Sequence, residues 1–243
     1  GVWHALVFDR EVAVEDRISV IIPTLNEAQR IEQCLREVTS MEKFHEVIVV
    51  DGRSTDDTVA RVRSFPGVCL LEGERGRGVQ MNLGAADATG DVLLFLHADV
   101  SLPLDALRWI REVMADESVV AGAFRTWTVT DQGSAWFTPL LHIADLRSRY
   151  SSLPYGDQAL FVRTAAFEAV GGFPEIALME DLELSRQLRK LGRIRMARAS
   201  VKVSGRRFLA RPLYYFALTN TLPLLFRLGI PTERLARLYG APR

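Results

Sequence analysis

Ile18-Ser19-Val20-Ile21-Ile22 is a β-branched run closed by Pro23. This is the pattern of a strand buried on both faces and stopped by a residue that cannot donate to a ladder. A helix is expected next: Asn26 suits an N-cap, Glu27 adds a carboxylate to the first turn, and Ile31, Leu35 and Val38 recur on one face. The alternation then repeats. Glu46-Val47-Ile48-Val49-Val50 ends in Asp51, and the turn Gly52-Arg53-Ser54-Thr55-Asp56 leads into a short helix from about Asp57 to Ser64. Val68 to Leu71 reads as a third strand and Val92 to Leu96 as a fourth, with a helix around Gln80 to Ala88 between them. Strands alternating with helices imply parallel neighbours joined by right-handed crossovers, hence an α/β, doubly wound sheet. Ligands of such sheets bind beyond the carboxyl ends of the strands.

The second half is less regular. A helix from about Pro103 to Ala115 precedes a strand from Val119 to Val129, a helical stretch from Ser134 to Tyr150 and a short strand from Gln158 to Val162. A helix from about Asp181 to Leu191, a strand from Arg193 to Val203 and a C-terminal helix rich in Leu, Tyr and Phe complete the reading. No Ser/Pro/Gly-rich linker interrupts the chain, so one domain from 18 to 243 is expected, with 1–17 a leader or an added extension.

Composition narrows the function. Thirty basic residues balance thirty acidic ones in 243, a formal net charge of +0, which argues against a general nucleic-acid binder. Cys34 and Cys69 lack CxxC spacing and suit reduced thiols, in keeping with a cytoplasmic setting. Leu213 to Phe226 is too short to span a bilayer.

Three strand ends carry polar residues toward one sheet edge: Pro23-Thr24-Leu25-Asn26-Glu27, Asp51-Gly52-Arg53-Ser54-Thr55-Asp56 and His97-Ala98-Asp99. Structural loops can use almost any turn former, so their convergence points to a ligand site. Arg75 and Arg77 lie in a glycine-spaced loop from which guanidinium groups could reach a diphosphate. Glu180-Asp181 follows Gly171-Gly172-Phe173-Pro174 and begins a helix.

These segments resemble the inverting glycosyltransferase family 2, with its GT-A fold, whose members carry P-x-x-N-E, V-V-D-x-x-S-x-D and a metal-binding D-x-D. The match runs from about Ile18 to Val203 and includes Arg75 to Ala85 and Ala88-Thr89-Gly90-Asp91. With Leu94-Phe95-Leu96-His97-Ala98-Asp99 it is similar to a subgroup associated with radical-SAM and selenodomain neighbourhoods. The resemblance implies a nucleotide-binding half (about 18–100), an acceptor half (about 101–205) and a C-terminal amphipathic helical segment (206–243). It implies a nucleotide-sugar donor, UDP-linked, held by Pro23, Thr24, Asn26, Glu27, Asp51, Gly52, Asn82, His97 and Ala98, with Arg75, Arg77, Arg206 and Arg207 on the phosphates. Asp99 would bind Mn²⁺ or Mg²⁺. His97 stands where the family has Asp, and is a second metal ligand, a hydrogen-bond donor to a group that ligates the metal, or a contact to the ribose. Asp181, with Glu180 beside it, would be the base that deprotonates a hydroxyl acceptor, small or lipid-linked.

Two rivals use the same features. A nucleotidyltransferase normally carries its Gly-Arg loop after the first strand, whereas here that loop follows the third. A non-catalytic nucleotide-sugar-binding protein would not need both Asp99 and the acidic pair. The aromatic, basic C-terminal segment (Phe208, Tyr214, Tyr215, Arg211, Arg227) suits packing on its own domain, a homodimer contact or a peripheral contact at the inner membrane face.

Overall fold

The computed structural model describes residues 16–41, 43–129, 153–205 and 211–240. Its strands are β1 (Ile18–Thr24), β2 (Glu46–Asp51), β3 (Val68–Glu72), β4 (Val92–Phe95), β5 (Val100–Ser101), β6 (Val119–Val129), β7 (Phe161–Arg163) and β8 (Arg193–Ser204). They form one sheet in the order β3-β2-β1-β4-β7-β6-β8-β5. The first four strands are all parallel. Beyond them β7 is antiparallel to both β4 and β6, β8 runs parallel to β6, and β5 is antiparallel to β8. The expected mostly parallel, doubly wound sheet is thus clearest in the first half.

Both faces are covered, which is why these strands read as unbroken apolar runs. Ile18, Val20 and Ile22 pack with Ile31 and Leu35 of α1 (Ala28–Ser40), Val62 of α2 (Thr58–Arg63) and Ile110 of α4 (Ala106–Met114). Ile21, Ile48 and Leu93 pack on the other side with Met81 of α3 (Arg77–Asp87), Phe167 of α5 (Thr164–Ala169) and Leu184 of α6 (Glu180–Leu191). Each fully buried Ile or Leu contributes about 1.5–3 kcal/mol.

Several boundaries differ from the sequence reading for identifiable reasons. Pro23 does not stop β1: pairing with β4 ends at Ile21, while pairing with β2 continues to Thr24. Gln158 does not open a strand. Its Oε1 accepts from the Tyr155 N–H at 2.8 Å and closes a 3-10 turn, Gly156–Gln158, before β7. The short elements β5 and α5 were not anticipated, and the helical stretch expected over Ser134 to Tyr150 lies outside the described residues. The C-terminal segment is two helices, α7 (Pro212–Arg227) and α8 (Thr232–Tyr239), which enclose a third, small core of Leu178, Leu218, Leu222, Leu235 and Ala236. Among the described residues no helix is long and apolar enough to cross a membrane.

Candidate active site at the carboxyl edge of the sheet

Thr24 and Asp51 end β1 and β2 side by side. The buried Gln80 of α3 donates through Nε2 to the carbonyls of Thr24 and Val50, each at 2.8 Å, and so ties the two strand ends together. Gly52 lies against that amide, and its N–H donates to the Thr24 carbonyl at 2.8 Å. Asp51 is buried and accepts from the Ser54 N–H at 2.8 Å and the Ser54 hydroxyl at 2.5 Å. Asn26 is not the cap of α1: at φ 55° it donates its N–H to Ser54 Oγ and accepts from the Thr55 N–H through Oδ1, each at 2.8 Å. The first N–H groups of the helix are met instead from the loop after β2 and the start of α2, Ala28 by Asp56 Oδ2 at 3.2 Å and Glu27 by Thr58 Oγ1 at 2.9 Å. The two loops therefore form one continuous, hydrogen-bonded rim.

Past β4 the Leu96 N–H still reaches the Ile21 carbonyl at 2.9 Å, and the chain then turns, with the Val100 N–H donating to the His97 carbonyl. Ala98 is buried in the turn. Asp99 is exposed, with its Oδ2 3.1 Å from Nη1 of Arg30 on α1. A partly exposed pair of this kind is worth little, so Arg30 is an exchangeable partner.

The acidic pair opens α6 and is buried, Glu180 at 1% and Asp181 at 8% exposure. Met179 before it has φ 71°, a left-handed conformation that costs a bulky residue about 1–3 kcal/mol. Its packing against the small C-terminal core holds it there. Glu180 Oε1 lies 2.8 Å from Nη2 of Arg77, at the start of α3. Next to Arg77, a Cβ on Gly78 would come within 2.9 Å of the Pro174 carbonyl, so only glycine lets α3 press this closely on the Gly-Gly-Phe-Pro turn. Asn82 fastens the same turn, accepting from the Phe173 N–H at 2.8 Å and donating to its carbonyl at 2.9 Å.

Burial, then the charge of Glu180, push the Asp181 carboxyl up to about 7, with Asp157 adding to the effect. Arg77 and the Gly156 N–H oppose them. A Cβ on Gly156 would sit 2.4 Å from Asp181 Oδ2 and 2.9 Å from His97 Cε1, so the backbone of the 3-10 turn runs between the carboxyl and the imidazole.

The structure thus gathers Thr24, Asn26, Asp51 and Gly52 on one rim, Asp99 at the next strand end, and Glu180, Asp181, His97 and Gly156 in one cluster. Arg77 and Asn82, expected in the donor pocket, are engaged with Glu180 and Phe173 instead, while Arg75 is exposed. Arg206 and Arg207 lie outside the described residues. Gln80, Arg30 and the packing role of Gly156 were missed. A glutamine beside Met81, on the face of α3 that meets the sheet, was the available signal for Gln80, whereas Arg30 reads as an ordinary surface residue. Among the described residues no group of three or more His, Cys, Asp or Glu is placed to hold a metal. A lone exposed carboxylate such as Asp99 fits a cation that arrives with phosphate oxygens, because Mg²⁺ commonly takes only one or two protein carboxylates at such sites.

The glycosyl transferase family 2 model matches residues 19–171. Among curated relatives, glycosyltransferase AglE of Haloferax volcanii is 31% identical over 172 residues, 65% of this chain and 56% of that protein. Undecaprenyl-phosphate 4-deoxy-4-formamido-L-arabinose transferase of Sodalis glossinidius is 26% identical over 133 residues, 50% and 40% of the two chains. The chain spans about half the length of these relatives. Among solved structures, mannosyltransferase PcManGT from Pyrobaculum calidifontis, in complex with GDP-Man and Mn²⁺, superposes with a TM-score of 0.67 at 22% identity. That superposition covers 88% of this chain and 63% of the other, and it shows a shared fold.

Proposed function

The chain belongs to glycosyltransferase family 2 and has the GT-A fold, and from that premise we propose that it transfers a sugar from a nucleoside diphosphate sugar to an acceptor hydroxyl with inversion, Asp181 serving as base. The observation that carries this reading is Asp181 itself, a buried carboxyl raised to about 7 at the sheet edge where Asp51 and Asp99 also lie. A hydroxyl is a weak nucleophile until its proton is taken, and a base is most useful with a pKa near the working pH. Asp181 takes the acceptor proton, the acceptor oxygen bonds to the anomeric carbon, and the bond to the diphosphate oxygen breaks with its electron pair leaving on the diphosphate. One displacement inverts the configuration. Glu180, held by Arg77, keeps a negative charge beside Asp181 and so raises its basicity.

On the donor side Asp51 would accept from the base imide, the rim of Pro23, Thr24, Asn26, Glu27 and Gly52 would enclose the nucleoside, and Arg75, Arg206 and Arg207 would meet the phosphates. Asp99 would hold Mn²⁺ or Mg²⁺, which neutralises charge on the departing diphosphate. UDP is the proposed carrier. A lipid-linked acceptor is supported by the undecaprenyl-phosphate relative.

Calorimetry with UDP, GDP and their sugars, each with Mn²⁺, Mg²⁺ or chelator, tests the proposal. Binding should be tightest for the uridine series and should weaken more than tenfold with chelator or in Asp99→Asn. A preference for guanosine would remove the UDP assignment alone. Absence of binding by every nucleoside diphosphate would refute the transferase reading.

A further inference from the structure

Helix α7 is apolar on two opposite sides, whereas a helix at a protein surface ordinarily keeps its outer side polar. From Pro212 to Phe226 it contains no charged residue, and Arg211 and Arg227 bracket that run. Its inner side, Leu218 and Leu222, is buried against Leu235 and Ala236 of α8 and against Leu178. On its outer side Leu213 is 63% exposed, Leu224 57% and the capping residue Leu228 70%. At 3.6 residues per turn these three and the exposed Ala217 fall within roughly 60° of arc, one stripe along the helix flanked by the exposed Asn220 and Thr221. Tyr214 borders the stripe, and its hydroxyl donates to the Leu238 carbonyl at 2.5 Å, joining α7 to α8.

The charge on these helices is mostly of one sign. Between residues 211 and 240 the charged residues are Arg211, Arg227, Arg234 and Arg237, all exposed, and one acid, Glu233, although the whole chain has a net charge of +0. An exposed apolar stripe on a pair of helices that carries four arginines and one acid matches an anionic bilayer, whose acyl boundary takes the leucines and whose headgroups take the guanidinium groups. A second copy of this chain matches it less well, because a two-fold contact would bring two surfaces of net positive charge together.

We infer that α7 and α8 form a docking surface for an anionic lipid bilayer. The helix is about 24 Å long and lies along the interface without crossing it. Leu178 and Met179 belong to the small core beneath this surface and lead directly into Glu180 and Asp181. Docking therefore brings the proposed base close to the membrane plane, where a lipid-linked acceptor would be presented; this consequence for the acceptor rests on the function proposed above, whereas the surface does not.

The test is sedimentation of the full chain with phosphatidylcholine vesicles, with and without phosphatidylglycerol. Calorimetric binding of UDP and GDP is measured in parallel on every protein. The chain should sediment with the anionic vesicles, less so as salt is raised. Arg234→Gln combined with Arg237→Gln should lower partitioning roughly fivefold per arginine. Leu213→Asn combined with Leu224→Asn, at exposed positions that leave the core intact, should lower it more than tenfold with nucleotide binding unchanged. The inference is overturned if the chain stays in the supernatant with anionic vesicles, or if these variants partition like the parent. It is equally overturned if light scattering finds a dimer that Leu224→Asn dissociates while no vesicle is bound. Vesicle binding without binding of either UDP or GDP would leave the docking surface standing and count against the transferase reading; nucleotide binding without vesicle binding would do the reverse.

Discussion

Asp181 holds its proton to about pH 7 because burial and the adjacent Glu180 both disfavour a second negative charge. Two consequences follow from the direction of that shift. Turnover should rise as pH rises through about 7, since only the ionised carboxylate can take the acceptor proton. Stability should move the other way. A folded pKa above the unfolded value of 3.8 gives a contribution fully present below about pH 4 and lost as pH climbs through about 7. Asp181→Asn keeps the shape without the charge, so above neutrality it should be more stable than the parent by on the order of 3 kcal/mol, a gap that closes toward pH 4. Its turnover should fall about 10²–10⁴-fold with donor binding within about twofold. Urea unfolding at pH 5 and 8, with turnover and calorimetry alongside, checks all three, and a stability gap that does not widen with pH would show that the carboxyl is not raised. The residue was legible in sequence because an acidic pair after Gly-Gly-Phe-Pro is a local pattern. Its proton affinity was not, since the burial arises from the 3-10 turn and α3, both distant in the chain.

Helix α3 connects the nucleotide rim to the acidic pair. Gln80 holds the ends of β1 and β2, Arg77 pairs with Glu180, and Asn82 fastens the turn before α6. Replacing Arg77 with Met would leave Glu180 buried without its counter-charge. We expect a loss of about 2 kcal/mol, below the 3–5 kcal/mol of fully buried pairs because the Arg77 side chain is 25% exposed. Arg77 also opposes the rise at Asp181, so in Arg77→Met the pH–rate profile should move to higher pH. A profile unmoved by the substitution would detach Arg77 from the base. Glycine spacing around Arg75 and Arg77 suggested a phosphate loop. What the spacing could not convey is that Gly78 brings the start of α3 against Pro174, which turns one of the two arginines toward α6.

At the scale of the molecule, two large cores sandwich the sheet and a small one lies under α7 and α8. The small core buries far less apolar surface, so it should open at lower cost. Amide hydrogen exchange should therefore be fastest to complete in α7 and α8 and slowest in β1, β2 and β4, and equal protection throughout would contradict this division. The apolar periodicity alone determined the first-half strands, the helices between them and the sheet edge on which their polar ends meet, because a strand buried on both faces and a helix buried on one have distinct local signatures. Tertiary structure decided the rest. The antiparallel β7, the short β5 and the division of the C-terminus into two helices depend on partners supplied from afar. So do the turn of Arg77 toward Glu180 and the proton affinity of Asp181, since charge, burial and hydrogen bonding act through space and carry no period along the chain.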